Sequence, residues 1–312
     1  MRAAQAKEPP NKANEMLKNA IILGGAGQAG SLLIRSLLAS GIEVIDVDLH
    51  PRAEERDPDR RYIQADASVC GPELAQAIHS SECVCICLPE QIAIDAAPAV
   101  VSAMSDGALW VDTLSVKGPI VRVLEPHAGR VEILSINPMF APALGWAGHA
   151  VAVVEAGHTD VRGRSFKELL VRWGASLQTV TAEEHDRLTA VLQVATHAAV
   201  LAFGSVLSKF DYDVKAALEL ATPPHRLLTA LLYRVISQNP EVYWDIQAYH
   251  PHAAHVRQQM IVSLDSLQSM TDRSDIDGFK HLFENLRALL NPRGETLADL
   301  TKRLIAAVNV VP

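Results

Sequence analysis

The sequence predicts an α/β protein in which a Rossmann-type, doubly wound parallel sheet is followed by an all-helical domain. Three observations support this prediction. Strand-like apolar runs alternate with helical stretches from Asn19 to about Thr181, a glycine-rich motif follows the first run, and only helical periodicity is found later. We therefore expect two domains, residues 19–181 and residues 182–312, preceded by a flexible tail at residues 1–18.

The strand-like runs are apolar throughout rather than at every second position: NAIILGG, EVIDVD, CVCICLP, ALWVDTLS, VEILSI and AVAVVEA. This is typical of central parallel strands, which helices cover on both faces. In CVCICLP, Cys83, Cys85 and Cys87 recur at every second position and so share one face of a buried strand. Because parallel thiols do not converge on an ion, we expect buried free thiols rather than a metal site.

Beyond residue 181, the segments TAEEHDRLTAVLQVATHAAVLAFGSVL and HRLLTALLYRVISQ carry apolar residues at helical spacing. Thr181 and Glu184 form a predicted capping box at the start of the first helix. Prolines then separate the successive helices: Pro223, Pro224, Pro240, Pro251 and Pro292.

Composition excludes several classes of partner. The formal charge of −8 and the pI near 5.8 argue against nucleic acid and anionic membranes, which require a basic face. The first 18 residues are polar and lack the apolar run of a signal peptide. We also expect no apolar segment that approaches the roughly 20 residues needed to span a bilayer, and hence a cytoplasmic protein.

A nucleotide-binding motif follows the first strand. Gly25, Gly27 and Gly30 satisfy the pattern G-x-G-x-x-G between a predicted strand and a predicted helix. The first glycine permits a tight turn, the second lets the backbone approach a pyrophosphate, and the third lets helix and strand pack closely. Gln28 and Ala29 open the helix, whose N-terminus faces the phosphate charge. The first domain is therefore a predicted dinucleotide-binding domain.

An acidic residue ends the second strand. Asp48 terminates EVIDVD about 20 residues after the glycine motif, where a carboxylate can accept hydrogen bonds from the adenosine ribose. This favours NAD over NADP, because a 2′-phosphate would meet Asp48 as a like charge, although Arg52 is close in sequence. Leu88 and Pro89, at the end of the CVCICLP run, complete the predicted cofactor site.

The motifs beyond the loop resemble the prephenate dehydrogenase family over nearly the whole chain from residue 19 onward. In chain order they are GGAGQAG, VDTLSVK, NPMFAP, EEHDRL, PPHRL and YRVISQNPEVYWDI. The resemblance is strongest to the dehydrogenase half of the bifunctional chorismate mutase–prephenate dehydrogenases. It implies an NAD-dependent oxidoreductase whose helical domain dimerises, and the apolar surface of the predicted helices also favours a homodimer.

The resemblance also implies how the substrate is held. Prephenate is a cyclohexadiene with two carboxylates and a C4 hydroxyl; hydride leaves C4 and carbon dioxide leaves C1. Arg234 matches the family's carboxylate-binding arginine, and Arg226 lies eight residues earlier on the same predicted helix. Ser115 matches the serine that contacts substrate and nicotinamide, with Lys117 nearby as support.

Two polar residues interrupt an otherwise apolar helix. Gln193 and His197 are four residues apart and therefore share a face. By resemblance His197 lines the substrate pocket, whereas the residues alone leave open a core histidine bonded to a backbone carbonyl. Tyr243 matches a position near the substrate, although an aromatic residue after a proline is also common in simple packing.

One residue departs from the family pattern. The family has a histidine before Pro138, which bonds the C4 hydroxyl and takes up its proton as hydride departs, whereas this chain has Asn137. Asparagine cannot act as a base, so prephenate turnover would fall by a factor on the order of 10² to 10⁴ if nothing replaced the histidine.

Three hypotheses follow from Asn137. The favoured one is an enzyme for 4-amino-4-deoxyprephenate that forms 4-aminophenylpyruvate. An amine lone pair expels hydride readily, the amide oxygen can accept a hydrogen bond from the amine, and an imidazolium would repel an ammonium. The second is a prephenate or arogenate dehydrogenase in which His197 or water replaces the histidine. The third is a non-catalytic NAD-binding sensor or partner subunit, which is disfavoured by an intact set of pocket residues: Arg234, Ser115, Gln193 and His197.

Two further features are assigned no chemistry. His250, His252 and His255 resemble a metal cluster, but Pro251 breaks the helix that would align them, and we expect no metal. His185 and Asp186, in EEHDRL, are expected to cap or orient their helix rather than to take part in the reaction.

Overall fold

The computed structural model describes residues 17–50, 61–157 and 159–308. Except for its last two residues, the predicted tail lies outside these ranges, as does Arg52. The chain divides into two compact units, with the boundary between Arg187 and Leu188, and each unit is described by itself.

The described part of the first unit contains an eight-stranded sheet in the order β3-β2-β1-β4-β5-β6-β7-β8. Its strands are β1 (Asn19–Leu23), β2 (Glu43–Asp48), β3 (Arg61–Gln64), β4 (Cys83–Ile86), β5 (Leu109–Asp112), β6 (Glu132–Pro138), β7 (Ala150–Glu155) and β8 (Ser176–Thr179). The predicted doubly wound α/β fold is confirmed. Between neighbours β1 and β4 the chain order reverses, which creates the crevice where such sheets bind ligands.

The predicted parallel sheet has one antiparallel pair among its described strands. β7 runs antiparallel to β6, while β7 and β8 are parallel to each other. The connection from β6 to β7 holds only a short 3₁₀ turn at Pro142–Leu144. A parallel pair requires a crossover of a dozen or more residues, usually helical, so this connection reverses the chain instead.

Helices cover both faces of the sheet. They are α1 (Gln28–Ala39), α2 (Pro72–His79), α3 (Glu90–Ala103), α4 (Gly118–Leu124) and α5 (Val161–Arg172); α6 (Ala182–Thr189) follows β8 in the chain. Successive side chains of a strand enter opposite cores: Ile21 and Leu23 pack with α2 and α3, while Ala20 and Ile22 pack with α1 and α5. This two-sided burial explains why the strands are apolar at every position.

The cysteine prediction agrees with the structure. Cys83 and Cys85 are buried side by side on the α1 side of β4, with their sulfurs 3.6 Å apart. Cys87 follows on the same side, and all four cysteines are free thiols. Burial and the neighbouring thiol raise the pKa of Cys87 far above its ordinary value, which makes this sulfur unreactive.

The described part of the second unit is helical, as predicted. A π-helical segment (Ala190–Ala195) precedes α7 (Thr196–Leu207), α8 (Val214–Leu220), α9 (Pro223–Ile236), α10 (Pro240–Tyr249), α11 (Ala253–Asp272), α12 (Ile276–Leu290) and α13 (Gly294–Val308). Pro223 and Pro240 open helices, and Pro251 lies between two of them. The predicted capping box is also present: Thr181 N donates to Glu184 Oε2 (3.0 Å), and Glu184 N donates to Thr181 Oγ1 (3.1 Å).

One helical stretch is more apolar than the sequence predicted. Residues Ala182–Leu207 run on without a break, and an 18-residue window reaches a mean hydropathy of 1.7 while only 17% of it is buried. By length and composition this stretch could cross a membrane, so the expectation that no segment approaches such a length is wrong. The physical reason is that α6, the π-helical segment and α7 form one continuous helix whose charges lie near its start.

Candidate active site

The glycine loop between β1 and α1 has no room for a side chain at Gly24, Gly25 or Gly30. Gly24 takes the left-handed φ of +87°, and a Cβ there would lie 2.3 Å from the carbonyl oxygen of Cys87. A Cβ on Gly30 would lie 2.2 Å from Gly24 O, and one on Gly25 would overlap Asp46 at 1.6 Å. Gly24 stands outside the predicted G-x-G-x-x-G pattern, so the pattern missed the glycine whose backbone makes the turn.

The first turn of α1 is suited to an anion. Gly27 precedes the helix without a side-chain cap, and no acidic residue lies in the first turn, which begins at Gln28 and Ala29. The first amides of a helix lack intrahelical partners and carry a partial positive charge. A phosphate group at this position is therefore stabilised by backbone alone.

Asp48 lies at the carboxyl end of β2, beside this loop. Its carboxylate accepts hydrogen bonds from Ala26 N (2.9 Å) and His50 N (3.1 Å). Leu88 and Pro89 follow β4, the other strand at the reversal of chain order, and Pro89 precedes the first residue of α3. The predicted cofactor residues are thus brought together at the carboxyl ends of β1, β2 and β4, where Rossmann-type sheets bind dinucleotides.

A buried carboxyl group forms hydrogen bonds with the backbone of the loop that contains Ser115. Glu90, the first residue of α3, accepts hydrogen bonds from the backbone amides of Ser115 and Val116. Burial raises the pKa of Glu90 to about 8, against the opposing effects of the Lys117 charge and of these two amides. The hydroxyl of Ser115 has no hydrogen-bond partner among the described residues, so it is available to a ligand. No sequence motif marked Glu90, whose partners lie 25 and 26 residues away.

Lys117 is a structural centre of the site rather than a surface cation. Its ammonium group, completely buried, lies 2.8 Å from Asp112 Oδ1 and donates to Ile136 O at 2.7 Å. Asp112 Oδ1 also accepts a hydrogen bond from Ser135 Oγ at 2.7 Å. Lys117 therefore ties the end of β5 to β6 at the residue before Asn137, which agrees with its predicted supporting role.

Asn137 is buried near the end of β6, in contact with the start of α6. Its Nδ2 lies 3.1 Å from His185 Nε2, and His185 Nδ1 lies 2.9 Å from Asp186 Oδ1. The Asp186 carboxylate in turn accepts hydrogen bonds from the backbone amides of Lys117 and Gly118, each at 2.8 Å. The side chains of His185 and Asp186 bond β6 and the segment after β5, and so orient their helix as expected. That they take no part in the reaction stays a prediction.

Electrostatics keep this chain of hydrogen bonds in one protonation state. Burial lowers the pKa of His185 below its ordinary value, although its hydrogen bond to Asp186 opposes the shift. Burial acts to raise the pKa of Asp186, whereas hydrogen bonds from His185, Lys117 and Gly118 act to lower it. The hydrogen bonds have the larger combined effect, so the pKa of Asp186 lies below its ordinary value. At neutral pH His185 is therefore neutral and Asp186 is charged.

The other predicted substrate residues lie in the helical unit. Gln193 lies in the π-helical segment and His197 in α7. Gln193 Oε1 and His197 Nδ1 are buried and have no hydrogen-bond partner among the described residues. The ring of Tyr243 meets that of His197 edge-to-face at 4.8 Å. Burial and the Arg234 charge both lower the pKa of His197. Unpaired buried polar atoms are costly, and π-helical segments are frequent at functional sites.

The two arginines of α9 differ in their contacts. Arg226 donates to the carbonyl oxygens of Leu218 (3.0 Å) and Ala221 (3.3 Å), at the end of α8. Arg234 is exposed and makes no hydrogen bond or ion pair within the described residues. Arg226 thus stabilises a helix end, and its contact with substrate stays a prediction, whereas the guanidinium of Arg234 is available to a carboxylate.

The histidine-rich segment has a structural explanation. His250 is buried, and its two ring nitrogens lie 3.2 Å from Thr189 Oγ1 and from His252 N. Among the described residues, no group of three or more histidine, cysteine, aspartate or glutamate side chains could hold a metal ion.

Comparison with known proteins agrees with this geometry. Residues 181–286 match the family model described as prephenate dehydrogenase, dimerization domain. The 4-amino-4-deoxyprephenate dehydrogenase of Streptomyces pristinaespiralis is 38% identical to the chain over 290 residues, which cover 93% of this chain and 97% of that protein. The chain belongs to the prephenate dehydrogenase family. The predicted family is thereby confirmed, and the chain is an oxidoreductase.

More distant members of the family extend the comparison. The T-protein of Enterobacter agglomerans is 31% identical over 231 residues, covering 74% of this chain and 56% of that longer protein. Among solved structures, prephenate dehydrogenase from A. aeolicus, in complex with hydroxyphenyl propionate and NAD+, superposes with a TM-score of 0.65 at 19% identity, covering 90% of this chain and 98% of that one. Synechocystis arogenate dehydrogenase superposes with a TM-score of 0.59 at 16% identity, covering 90% and 99%. Both structures share the fold of this family member.

Proposed function

We propose that this chain is an NAD-dependent dehydrogenase that converts 4-amino-4-deoxyprephenate to 4-aminophenylpyruvate and carbon dioxide. The observation that carries the proposal is Asn137, an amide that cannot act as a base, at the position where the family motif has a histidine. The similarity to the Streptomyces pristinaespiralis enzyme, whose name states this substrate, supports it.

The residues at the carboxyl ends of β1, β2 and β4 fit NAD. The glycine-rich loop around Gly24 and Gly30 and the uncapped start of α1 suit a pyrophosphate, and Asp48 suits the ribose hydroxyls. When bound, the nicotinamide supplies the hydride acceptor. We assign the free hydroxyl of Ser115 to the boundary between nicotinamide and substrate.

The reaction needs no base with the strength of histidine when C4 carries an amine. Hydride leaves C4, the C1–carboxylate bond breaks, and its electron pair completes the aromatic ring while carbon dioxide departs. The amine nitrogen stabilises the positive charge that develops at C4 as hydride leaves, and it keeps its protons in the product. Asn137 has only to accept one N–H hydrogen bond, which orients the amine.

We assign the two substrate carboxylates to the helical unit. Arg234 has a free guanidinium, and Gln193 and His197 hold polar atoms without partners. These are the groups expected where a polar ligand completes a site. Tyr243 restrains the ring of His197 through their edge-to-face contact.

A second candidate function is prephenate or arogenate dehydrogenase. It is favoured by the similarity to the T-protein and by His185, whose Nε2 lies 3.1 Å from Asn137 Nδ2. In this alternative, His197 or a water molecule takes the proton of the C4 hydroxyl. A non-catalytic NAD-binding sensor or partner subunit is the third candidate.

One assay distinguishes these candidates: NADH formation followed by absorbance with prephenate, arogenate and 4-amino-4-deoxyprephenate supplied in parallel at matched concentrations. We expect kcat/KM to be highest for the amino compound. Higher kcat/KM with prephenate or arogenate would overturn the substrate assignment. Absence of turnover with all three, together with NAD binding by calorimetry, would indicate a sensor.

We further propose a cytoplasmic homodimer formed through the helical unit. This unit exposes many large apolar side chains, including Phe283, Leu289 and Leu290, while its buried core is small. Such surface is expected where a second copy covers it, and the family model over residues 181–286 describes a dimerization domain. Sedimentation of the purified chain tests this: a monomer at micromolar concentration would refute it.

A further inference from the structure

The hydrogen bonds around Asn137 determine which end of its amide is free. Asp186, which is charged, offers only acceptors to His185 Nδ1 at 2.9 Å, so the proton of the neutral imidazole lies on Nδ1. His185 Nε2 is then a bare acceptor. The group of Asn137 that faces it at 3.1 Å must be the donor, the NH₂ group.

The opposite end of the amide is consequently an acceptor without a protein partner. No described residue donates a hydrogen bond to Asn137 Oδ1. Asp186 is itself held by the amides of Lys117 and Gly118, which belong to the segment that follows Ser115. The chain of bonds therefore runs from the backbone after β5 to one amide oxygen that no described residue bonds.

We propose that His185 is a positioning residue that, through its neutral Nδ1–H form, turns the oxygen of Asn137 toward the C4 substituent and so presents a fixed acceptor to an amine there. The inference rests on the proposed function and adds how the acceptor is oriented. An N–H donor at C4 meets a fixed acceptor, whereas a hydroxyl that must lose its proton finds no base. The orientation of the acceptor that the amine meets thus depends on a residue that does not touch the substrate.

Protonation of His185 would reverse the arrangement. An imidazolium donates from both nitrogens, so Nε2 would oppose the NH₂ group of Asn137 and favour rotation of the amide. The charged groups that act on His185 come from its own helix, from the end of β5 and from the segment after β5: Asp186 and Asp112 favour the charged form, and Lys117 disfavours it. Because burial lowers the pKa of His185, we expect kcat to fall only at a pH below the ordinary titration range of histidine.

Two variants test the role of His185 in solution. His185→Leu removes the acceptor, and we expect kcat for the amino substrate to fall on the order of 10²-fold with little change in KM. His185→Gln supplies an amide oxygen that can replace Nε2 and does not titrate. We expect it to restore most of the activity and to remove the loss of kcat at low pH. His250→Gln, at another buried histidine with a hydrogen bond through Nε2, is the matched control.

A measurement without substrate separates this inference from the proposed function. In the protein labelled with ¹⁵N-histidine, the signals absent from His185→Gln belong to His185, and we expect a protonated Nδ1 and an unprotonated Nε2 at pH 7.5. A protonated Nε2, unchanged kcat in His185→Leu, or a low-pH loss that persists in His185→Gln would overturn the inference. The expected tautomer without turnover of the amino compound would instead refute the substrate assignment.

Discussion

Lys117 Nζ lies 2.8 Å from Asp112 Oδ1, and both side chains are completely shielded from solvent. This ion pair joins the two strands that end at the candidate catalytic residues, since Ser115 follows β5 and Asn137 lies near the end of β6. A buried pair of this kind is costly to desolvate, and its hydrogen bonds to Ser135 and to the carbonyl of Ile136 offset part of that cost. Its position suggests that it keeps the two strand ends in register.

Removing one partner of this pair should strongly destabilise the protein. We expect Lys117→Met to lower the free energy of unfolding by about 3–5 kcal/mol, because Asp112 would remain as an uncompensated buried charge. Urea unfolding followed by circular dichroism measures the change. The double variant Lys117→Met/Asp112→Asn should recover part of the loss, and a double variant as unstable as the single one would contradict this explanation.

Restoring the family's histidine should change substrate preference. In Asn137→His, one N–H of the introduced imidazole can donate to His185 Nε2, which leaves its second nitrogen as a base. We expect kcat/KM for prephenate to rise by a factor on the order of 10² and that for the amino substrate to fall. Steady-state kinetics with both substrates provide the measurement. If both values fall together, position 137 does not determine the substrate.

Substitution of the two arginines of α9 should have different effects, one on substrate binding and the other on stability. Arg234→Gln should raise KM about 10- to 100-fold through loss of a charged hydrogen bond, and it should raise the pKa of His197, which the Arg234 charge now lowers. Arg226→Gln should mainly lower the free energy of unfolding, because it loses the bonds to α8. An equal rise of KM in both variants would instead support substrate contact by Arg226.

Replacing Asp48 should weaken discrimination between the two nicotinamide cofactors. Asp48→Asn loses the charge that repels a 2′-phosphate, so we expect KM for NAD to rise about 10- to 100-fold and the preference over NADP to shrink. Kinetics with each cofactor test this. Asp106→Asn, an exposed carboxylate on a turn, serves as control, and an unchanged NAD/NADP ratio in Asp48→Asn would contradict the assignment.

Glu90 should make stability depend on pH. The unfolded chain loses this proton near pH 4.5, but the folded protein retains it up to about pH 8. Because the folded state binds more protons across this window, stability should fall as pH rises, by at most about 1.4 kcal/mol per pH unit. Glu90→Gln should therefore gain stability relative to wild type between pH 5 and pH 8 in urea unfolding. The exposed Glu73→Gln should show no such trend.

Elements with local sequence signals were predictable without the structure. The run NAIILGG, the glycine motif and the following helix were predictable because a buried strand and a tight turn restrict the residue types within a few positions. The edge strands β3 and β8 were not predicted, because RYIQ and SLQT are short and largely polar. Such segments become strands only by pairing with a neighbour in the sheet.

Some residues of the candidate site were likewise predictable from the sequence, and others were found only in the structure. Asn137 was recognisable from sequence because the motif NPMFAP has an expected residue before Pro138. Only the tertiary structure placed His185 against it, 48 residues further along the chain, and Glu90 under the loop of Ser115. A strand end, a helix start and a loop meet only after the sheet has formed, so no local pattern records these hydrogen bonds. Residue identity therefore defined which groups the site contains, and packing decided which atom of Asn137 remains free.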